Sequence, residues 1–335
     1  MTRYPALRQS LGQVWKKRED KRKWKDILAI FIAVVLIFAI FNGFAKSFSI
    51  KKYLSKSNWD SKFSFVTILA TKPPSVFVFQ TDPQKIVSLK LDSERYLVTG
   101  NQNQPLVKFS TLLAEKSGEE LSKVLSLAFS ADIKNYAFFT EEQVLNKENL
   151  QTMFKKFASP VTPFLILTGR IDKNIAKTNI TRIDMIKLWW QLKSLGINKL
   201  EMVDLSDLKE EVVTADNQKV LGIDQTSLHF QISKYLENPD IANKDFKVII
   251  QNASGTGDTT SLASDFATSV GFDISKVEIS ENISDKTNIV TKKADLYPVR
   301  YLARVFNCDI VGSQNVPENT AIIVLGRDFA ANYFQ

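Results

Sequence analysis

FKVIIQNASGTGDTTSLASDFATSVGF, residues 246–272, is the stretch whose reading decides the fold. It opens as an apolar strand over 246–251 and breaks at a Gly-rich turn over 252–258. It continues as a helix over 259–270, with Leu262, Phe266 and Val270 on one face, and stops at Gly271. Downstream, 276–280, 287–292 and 320–326 have strand patterns, and 295–306 repeats an apolar face at helical spacing. The order β-α-β-β-α-β predicts a small sheet with two helices on one face.

Upstream, 63–70, 75–81 and 85–91 read as strands, with Asp82-Pro83 turning the second into the third. Residues 95–99 extend the third strand or begin a fourth. Two helices follow over 106–130, then a strand at 135–140, a helix at 147–157 and a strand at 164–168. Thr181 is the expected N-cap of a helix within 178–195, which buries Met185, Leu188, Trp189, Leu192 and Leu195. A charge-rich, strand-like connector spans 199–224 and a short helix 226–237. The polar break at 238–244 marks a domain boundary, dividing an α/β (α+β) domain at 63–240 from a second at 245–330.

Near the start, residues 27–45 form an uncharged run of nineteen residues, roughly 28 Å long as a helix at ~1.5 Å per residue. Residues 1–26 carry nine Lys/Arg against three acids, so this tail holds +6 of the formal +8. The positive flank predicts a cytoplasmic tail (1–26), a transmembrane helix (27–45), a stalk (46–62) and an extracytoplasmic remainder, residues 46–335. A cleaved signal peptide and a buried core helix are the competing readings. The first fits poorly because the run exceeds an ordinary h-region and no clean small-x-small site follows. The second fits worse, since the run is apolar on every face. With most of the net charge in the tail, the high pI is a topology signal, and nucleic acid is not an expected partner.

Cys308 is the sole cysteine, so no internal disulfide forms; it reads as a small buried hydrophobe. His229 is the sole histidine, on a helix with Leu228, Ile232, Tyr235 and Leu236. A zinc site built on histidines is thereby excluded, as is a HExxH protease, and no metal site is expected. The Gly-rich turn has two readings. As a strand-to-helix anion cradle it uses Asn252, Ser254, Gly255, Thr256 and Gly257. As a plain tight turn it needs only Asp258 or Thr259 as N-cap. It is neither a Walker A sequence nor G-x-G-x-x-G.

The segments VIIQNASGTGDTTSLASDFATSVGFDI, NIVTKK and TAIIVLGRDF together resemble the LytR carboxy-terminal domain of the LytR-CpsA-Psr proteins. The front domain resembles a degenerate form of that family's catalytic domain. Asp82-Pro83 matches its turn, while Lys72, Pro73, Pro74 and Ser75 stand for Arg-Ser-Asp-Thr and Leu91, Asp92, Ser93 and Glu94 for Ile-Pro-Arg-Asp. In the family, arginines grip the pyrophosphate of a polyprenyl-linked glycan and carboxylates hold Mg²⁺. Here Lys72 lacks the guanidinium fork, Pro74 cannot be a carboxylate, and Arg95 lies two residues past Ser93.

The resemblance implies a bacterial, single-pass cell-envelope protein. Its first reading is non-catalytic and without cofactor. In that reading it binds cell-wall peptidoglycan, a lipid-linked glycan precursor or another envelope protein, beside its contact with the membrane. Its second reading is a phosphotransferase attaching glycopolymers to peptidoglycan, with Lys72, Asp92, Glu94 and Arg95 as catalytic substitutes and Mg²⁺ as cofactor.

Overall fold

The computed structural model describes residues 57–99, 106–214, 217–242 and 245–334. The tail, the apolar run 27–45 and the stalk up to residue 56 lie outside these. No helix among the described residues is long and apolar enough to cross a membrane.

Among the described residues the first elements are three antiparallel strands, β1 (Phe65–Ala70), β2 (Ser75–Thr81) and β3 (Gln84–Lys90), and Asp82-Pro83 makes the turn between the last two. Next come β4 (Tyr96–Val98), β5 (Leu106–Lys108), α1 (Phe109–Glu115), α2 (Gly118–Phe129) and β6 (Asn135–Phe139). Then follow α3 (Lys147–Phe157), α4 (Thr162–Leu167), β7 (Ile175–Thr178), α5 (Arg182–Leu192) and β8 (Leu200–Asp204). The stretch closes with β9 (Glu210–Val213), β10 (Lys219–Gly222), α6 (Gln225–Leu236) and α7 (Pro239–Ala242). Six strands form one sheet in the order β7-β6-β1-β2-β3-β8, while β5-β4-β10-β9 form a second.

The first sheet is buried on both faces because its strands alternate two apolar sets. Val66, Ile68, Val76, Val78, Val87 and Leu89 face α2 and α6. Phe65, Phe79, Ile86 and Leu200 face α3 and α5, meeting Leu150, Phe154, Leu188 and Leu192. Residues 57–59 are pinned to the latter side. Trp59 is 2% exposed and sets its ring edge-on to Phe65 and Phe79. The buried Asp184 carboxylate accepts from Ser57 Oγ (2.5 Å), the Asn58 and Trp59 N–H groups (3.0 and 3.2 Å) and Thr181 Oγ1 (2.7 Å). Asp184→Asn puts an amide NH₂ against one of those N–H groups. It is expected to cost about 1–2 kcal/mol, read as a lower urea midpoint. An unchanged midpoint would mean that this anchor contributes nothing.

The second stretch runs β11 (Lys247–Asn252), α8 (Asp258–Ser269), β12 (Asp273–Ile279), β13 (Asn288–Thr291), α9 (Tyr297–Val305), β14 (Asp309–Gly312), β15 (Thr320–Leu325) and α10 (Arg327–Phe334). The sheet order is β12-β11-β15-β13-β14. β11–α8–β12 and β13–α9–β14 are two parallel crossovers running in opposite directions. Right-handed crossovers place both helices on one face, as expected, and Val248, Ile250, Ile289, Ile323 and Leu325 all point into that side. The same cluster runs on through Phe266, Leu302 and Phe329 to α2 and α6, so one core joins the first sheet to the last.

Two expectations need correction, and one open reading is decided. Residues 164–167 are helical, within α4, and Thr168 is its C-cap: Pro163 opens the helix, and Ile166 is buried while Phe164 and Leu167 stay exposed. An apolar run that short carries no period to tell strand from helix. Of the two readings for 95–99, the second holds: residues 96–98 begin a fourth strand, β4, which pairs with β5 and β10 in the other sheet. The closing module also has two elements more than expected, β14 and α10. β14 is a four-residue edge strand, and α10 follows Gly326 directly.

Candidate functional site

β1 and β3 are both antiparallel to β2, β6 runs parallel to β1, and β8 runs parallel to β3. The carboxyl ends of four strands therefore share one rim, the usual ligand side of an α/β sheet. Lys72, Asp92, Glu94 and Arg95 all follow strands that end there, yet they do not converge. Arg95 Nε lies 2.9 Å from Asp92, and its Nη2 donates to the Ser206 carbonyl at 3.1 Å. With its side chain 13% exposed, this guanidinium is a fastener between β3 and β8. Glu94 pairs with Lys108 at 2.5 Å, and Lys72 pairs with Glu142 at 3.2 Å, both on open surface. Asp92 and Glu94, the carboxylates that would hold Mg²⁺, each face a cation of the chain itself. The donor set does not fit that ion, and no step is derived through it.

A basic cleft of about 630 Å³ lies beside this rim, on the α3 side of β3 and β8. Alternation puts Lys90 on the face of Ile86 and Ser88, opposite Asp204 on β8. Lys147 is the first residue of α3, behind Asn146, whose side chain accepts the Asn149 N–H at 2.7 Å. Lys199 comes from the turn before β8. Lys90 Nζ is 2.6 Å from Asp204, which also accepts from Ser206 Oγ and the Ser206 N–H. Burial pushes the Asp204 carboxyl up, but Lys90 and Ser206 outweigh it and hold the group down at about 2. Lys147 and Lys199 have no ion-pair partner among the described residues. Lys85 and Glu201 also reach this cleft, yet alternation directs their ion pair to the other face, beside Tyr235. Three ammonium groups thus face one carboxylate, an arrangement that suits a phosphate or a chain of phosphates. No periodicity could have joined Lys90, Lys147 and Lys199. Only the β3–β8 pairing and the placement of α3 do so.

The Gly-rich turn is satisfied from within. Asn252 Nδ2 donates to the Thr256 carbonyl at 2.7 Å and to Thr260 Oγ1 at 2.9 Å. Ser254 Oγ donates to Asn252 Oδ1 at 2.6 Å and sits 2.9 Å from Thr259 Oγ1. Gly255 has φ +81°, where a side chain is strained; Gly257 has φ −71° and open space around it. The helix begins at Gly257, and neither Asp258 nor Thr259 caps it: Thr259 Oγ1 turns back to the Thr256 carbonyl. Asp258 in the first turn repels an anion there.

His229 sits half-buried with Nδ1 donating to the Phe129 carbonyl at 3.2 Å, a packing role. Burial, with Asp328 nearby, pushes the Cys308 thiol up to about 12, so it stays protonated and unreactive.

The scaffold is therefore a mixed α/β unit with a basic cleft at its strand ends, closed by a β-α-β-β-α-β-β-α module. Residues 245–329 of that module match the LytR_C family model, described as "LytR cell envelope-related transcriptional attenuator". This is the likeness that the VLGRDF and NASGTGD segments carry. No curated protein matches the chain. Solved structures with partial likeness include Bacillus subtilis TagV, with TM-score 0.42 and 10% identity over 53% of this chain and 98% of that one. Another is the Bacillus subtilis transcriptional regulator yvhJ, with TM-score 0.38 and 10% identity over 52% and 98%. A third is the LytR-CPS2A-psr family protein YwtF (TagT) with bound octaprenyl pyrophosphate lipid, with TM-score 0.35 and 11% identity over 54% and 94%.

Proposed function

We propose that this chain is a single-pass cell-envelope protein. It is held by residues 27–45 and binds a phosphate-bearing cell-wall glycopolymer, or its lipid-linked precursor, without transferring it. The observation that carries this reading is the division of charge at the strand ends. Arg95 is tied to Asp92 and Ser206, whereas Lys90, Lys147 and Lys199 share a cleft in which Asp204 is the one carboxylate not already paired with Lys85. A transferase needs its guanidinium and carboxylates free for substrate; a binding protein needs only accessible positive charge. The LytR_C match at 245–329 supports an envelope setting. The basic tail followed by an uncharged run supports the topology.

The test is retention of the full chain, in mild detergent, on sacculi with and without their phosphate polymers, and on vesicles carrying a polyprenyl phosphate. Lys147→Glu with Lys199→Glu is expected to weaken retention about tenfold or more, at ~1 kcal/mol per surface charge. Retention by the parent chain should fall as salt screens the cleft. Equal retention by the variant would overturn the cleft as the binding site. Release of phosphate from a polyprenyl pyrophosphate with Mg²⁺, lost in Arg95→Ala, would replace binding by transfer.

A further inference from the structure

The closing sheet ends in an edge that nothing covers among the described residues. β12 is seven residues long and pairs only with β11; the opposite edge, β14, has four. Natural edges of this length are usually blunted by proline, bulges, charge or a covering element. β12 carries one bulge, at Ser275, where its register with β11 shifts, and beyond it presents Val277 at 49% and Ile279 at 85% exposure, with the exposed Ile283 past its end. Its two central charges flank Val277 as Lys276 and Glu278, and they pair within the strand.

This order is self-complementary. A two-fold axis normal to a sheet leaves each side chain on its own face, so in an antiparallel pair of identical strands the axis passes through a residue. Centred on Val277, the pairing sets Lys276 opposite the second copy's Glu278, and Glu278 opposite its Lys276. Centring on Lys276 or Glu278 sets like charges directly opposite, which is destabilising. The regular part of this pairing spans 276–278, because the bulge at Ser275 interrupts the alternation where Ile279, the most exposed apolar residue of the strand, meets the second copy. We infer that β12 is a self-association edge, through which two copies join their closing sheets into one continuous ten-stranded sheet. Ladder hydrogen bonds supply the contact, and the Lys-Val-Glu triplet supplies the register. A single strand pair buries little surface, so the dimer is weak and concentration-dependent.

Cross-linking captures such a dimer. Cα atoms directly opposed across an antiparallel pair stand ~4.5 or ~5.5 Å apart, within disulfide range. With Cys308→Ser as background, the full chain carrying Val277→Cys is expected to form a disulfide dimer under mild oxidation. Val311→Cys on the other edge should give at least tenfold less. Adding Lys276→Glu should abolish the 277 product, and Lys276→Glu with Glu278→Lys should restore it. The inference is overturned by equal cross-linking at 277 and 311, by indifference to Lys276→Glu, by failure of the charge swap to rescue, or by a 277 adduct with a foreign protein only.

Discussion

Gly326→Ala is expected to destabilise the protein by about 3 kcal/mol, with a matching fall in urea midpoint. Gly257→Ala, in the segment that looks richest in essential glycines, should stay within about 0.5 kcal/mol of the parent. A Cβ on Gly326 would run into backbone, meeting the Lys286 carbonyl carbon and the Thr287 nitrogen, the latter at 2.6 Å. Backbone cannot swing aside as a long side chain can. Nor is the 284–287 segment free to move. Asp328 Oδ1 accepts from the Thr287 N–H at 2.8 Å and from its hydroxyl at 2.7 Å, and Thr287 Oγ1 accepts the Gly326 N–H at 3.0 Å. The Arg327 and Asp328 N–H groups donate to the Ser284 and Asp285 carbonyls. The Gly-x-Asp part of VLGRDF is thus a clasp: glycine admits the crossing segment and aspartate fastens it. At Gly257 a new methyl group meets nothing within 4 Å, and the backbone is already in the right-handed region. Equal losses for the two variants would refute this account of the clasp.

Phe266→Ala should be the more damaging change, at about 3–5 kcal/mol. Phe266 has no exposed surface and meets Tyr333 and Phe329 edge-on, with ring centres 5.5 and 6.2 Å away. Truncation leaves a cavity among aromatic side chains from α8 and α10, whose rings cannot collapse into it without moving their helices. Its effect should also reach beyond the closing module, because the cluster containing Phe266 includes Leu121 and Leu125 of α2 and Leu228 and Ile232 of α6. One transition, shifted as a whole, is expected in chemical denaturation followed by hydrogen exchange at both β2 and β15. Loss of protection at β15 with β2 unchanged would mean that the two stretches are energetically separate.

Much of the architecture could be read because its signals are local. Thr181 caps α5 and accepts the Asp184 N–H at 3.1 Å, as the Thr-x-x-Asp spacing implies. Asp82-Pro83 turns β2 into β3, and residues 147–157 form the helix their apolar spacing demands. The local signal is thin at 164–168 and at β14, whose four residues are exposed or half-buried and carry no apolar run, and there the pattern does not specify the element. The candidate site was less legible still. Lys72, Asp92, Glu94 and Arg95 stand out by their place relative to a motif, and place along the chain does not say which opposite charge lies beside each one. The lysines of the cleft carry no joint signal in the sequence because they belong to three different elements.

By itself the sequence determined the class of each principal element, the one-sided packing of the closing module and its LytR_C pattern, since all of these depend on residue spacing over twenty or thirty positions. Only the tertiary structure decided which charges neutralise each other. Coulomb energy depends on distance through space, and strand pairing brings Arg95 to Ser206 and Lys90 to Asp204 across more than a hundred residues of chain.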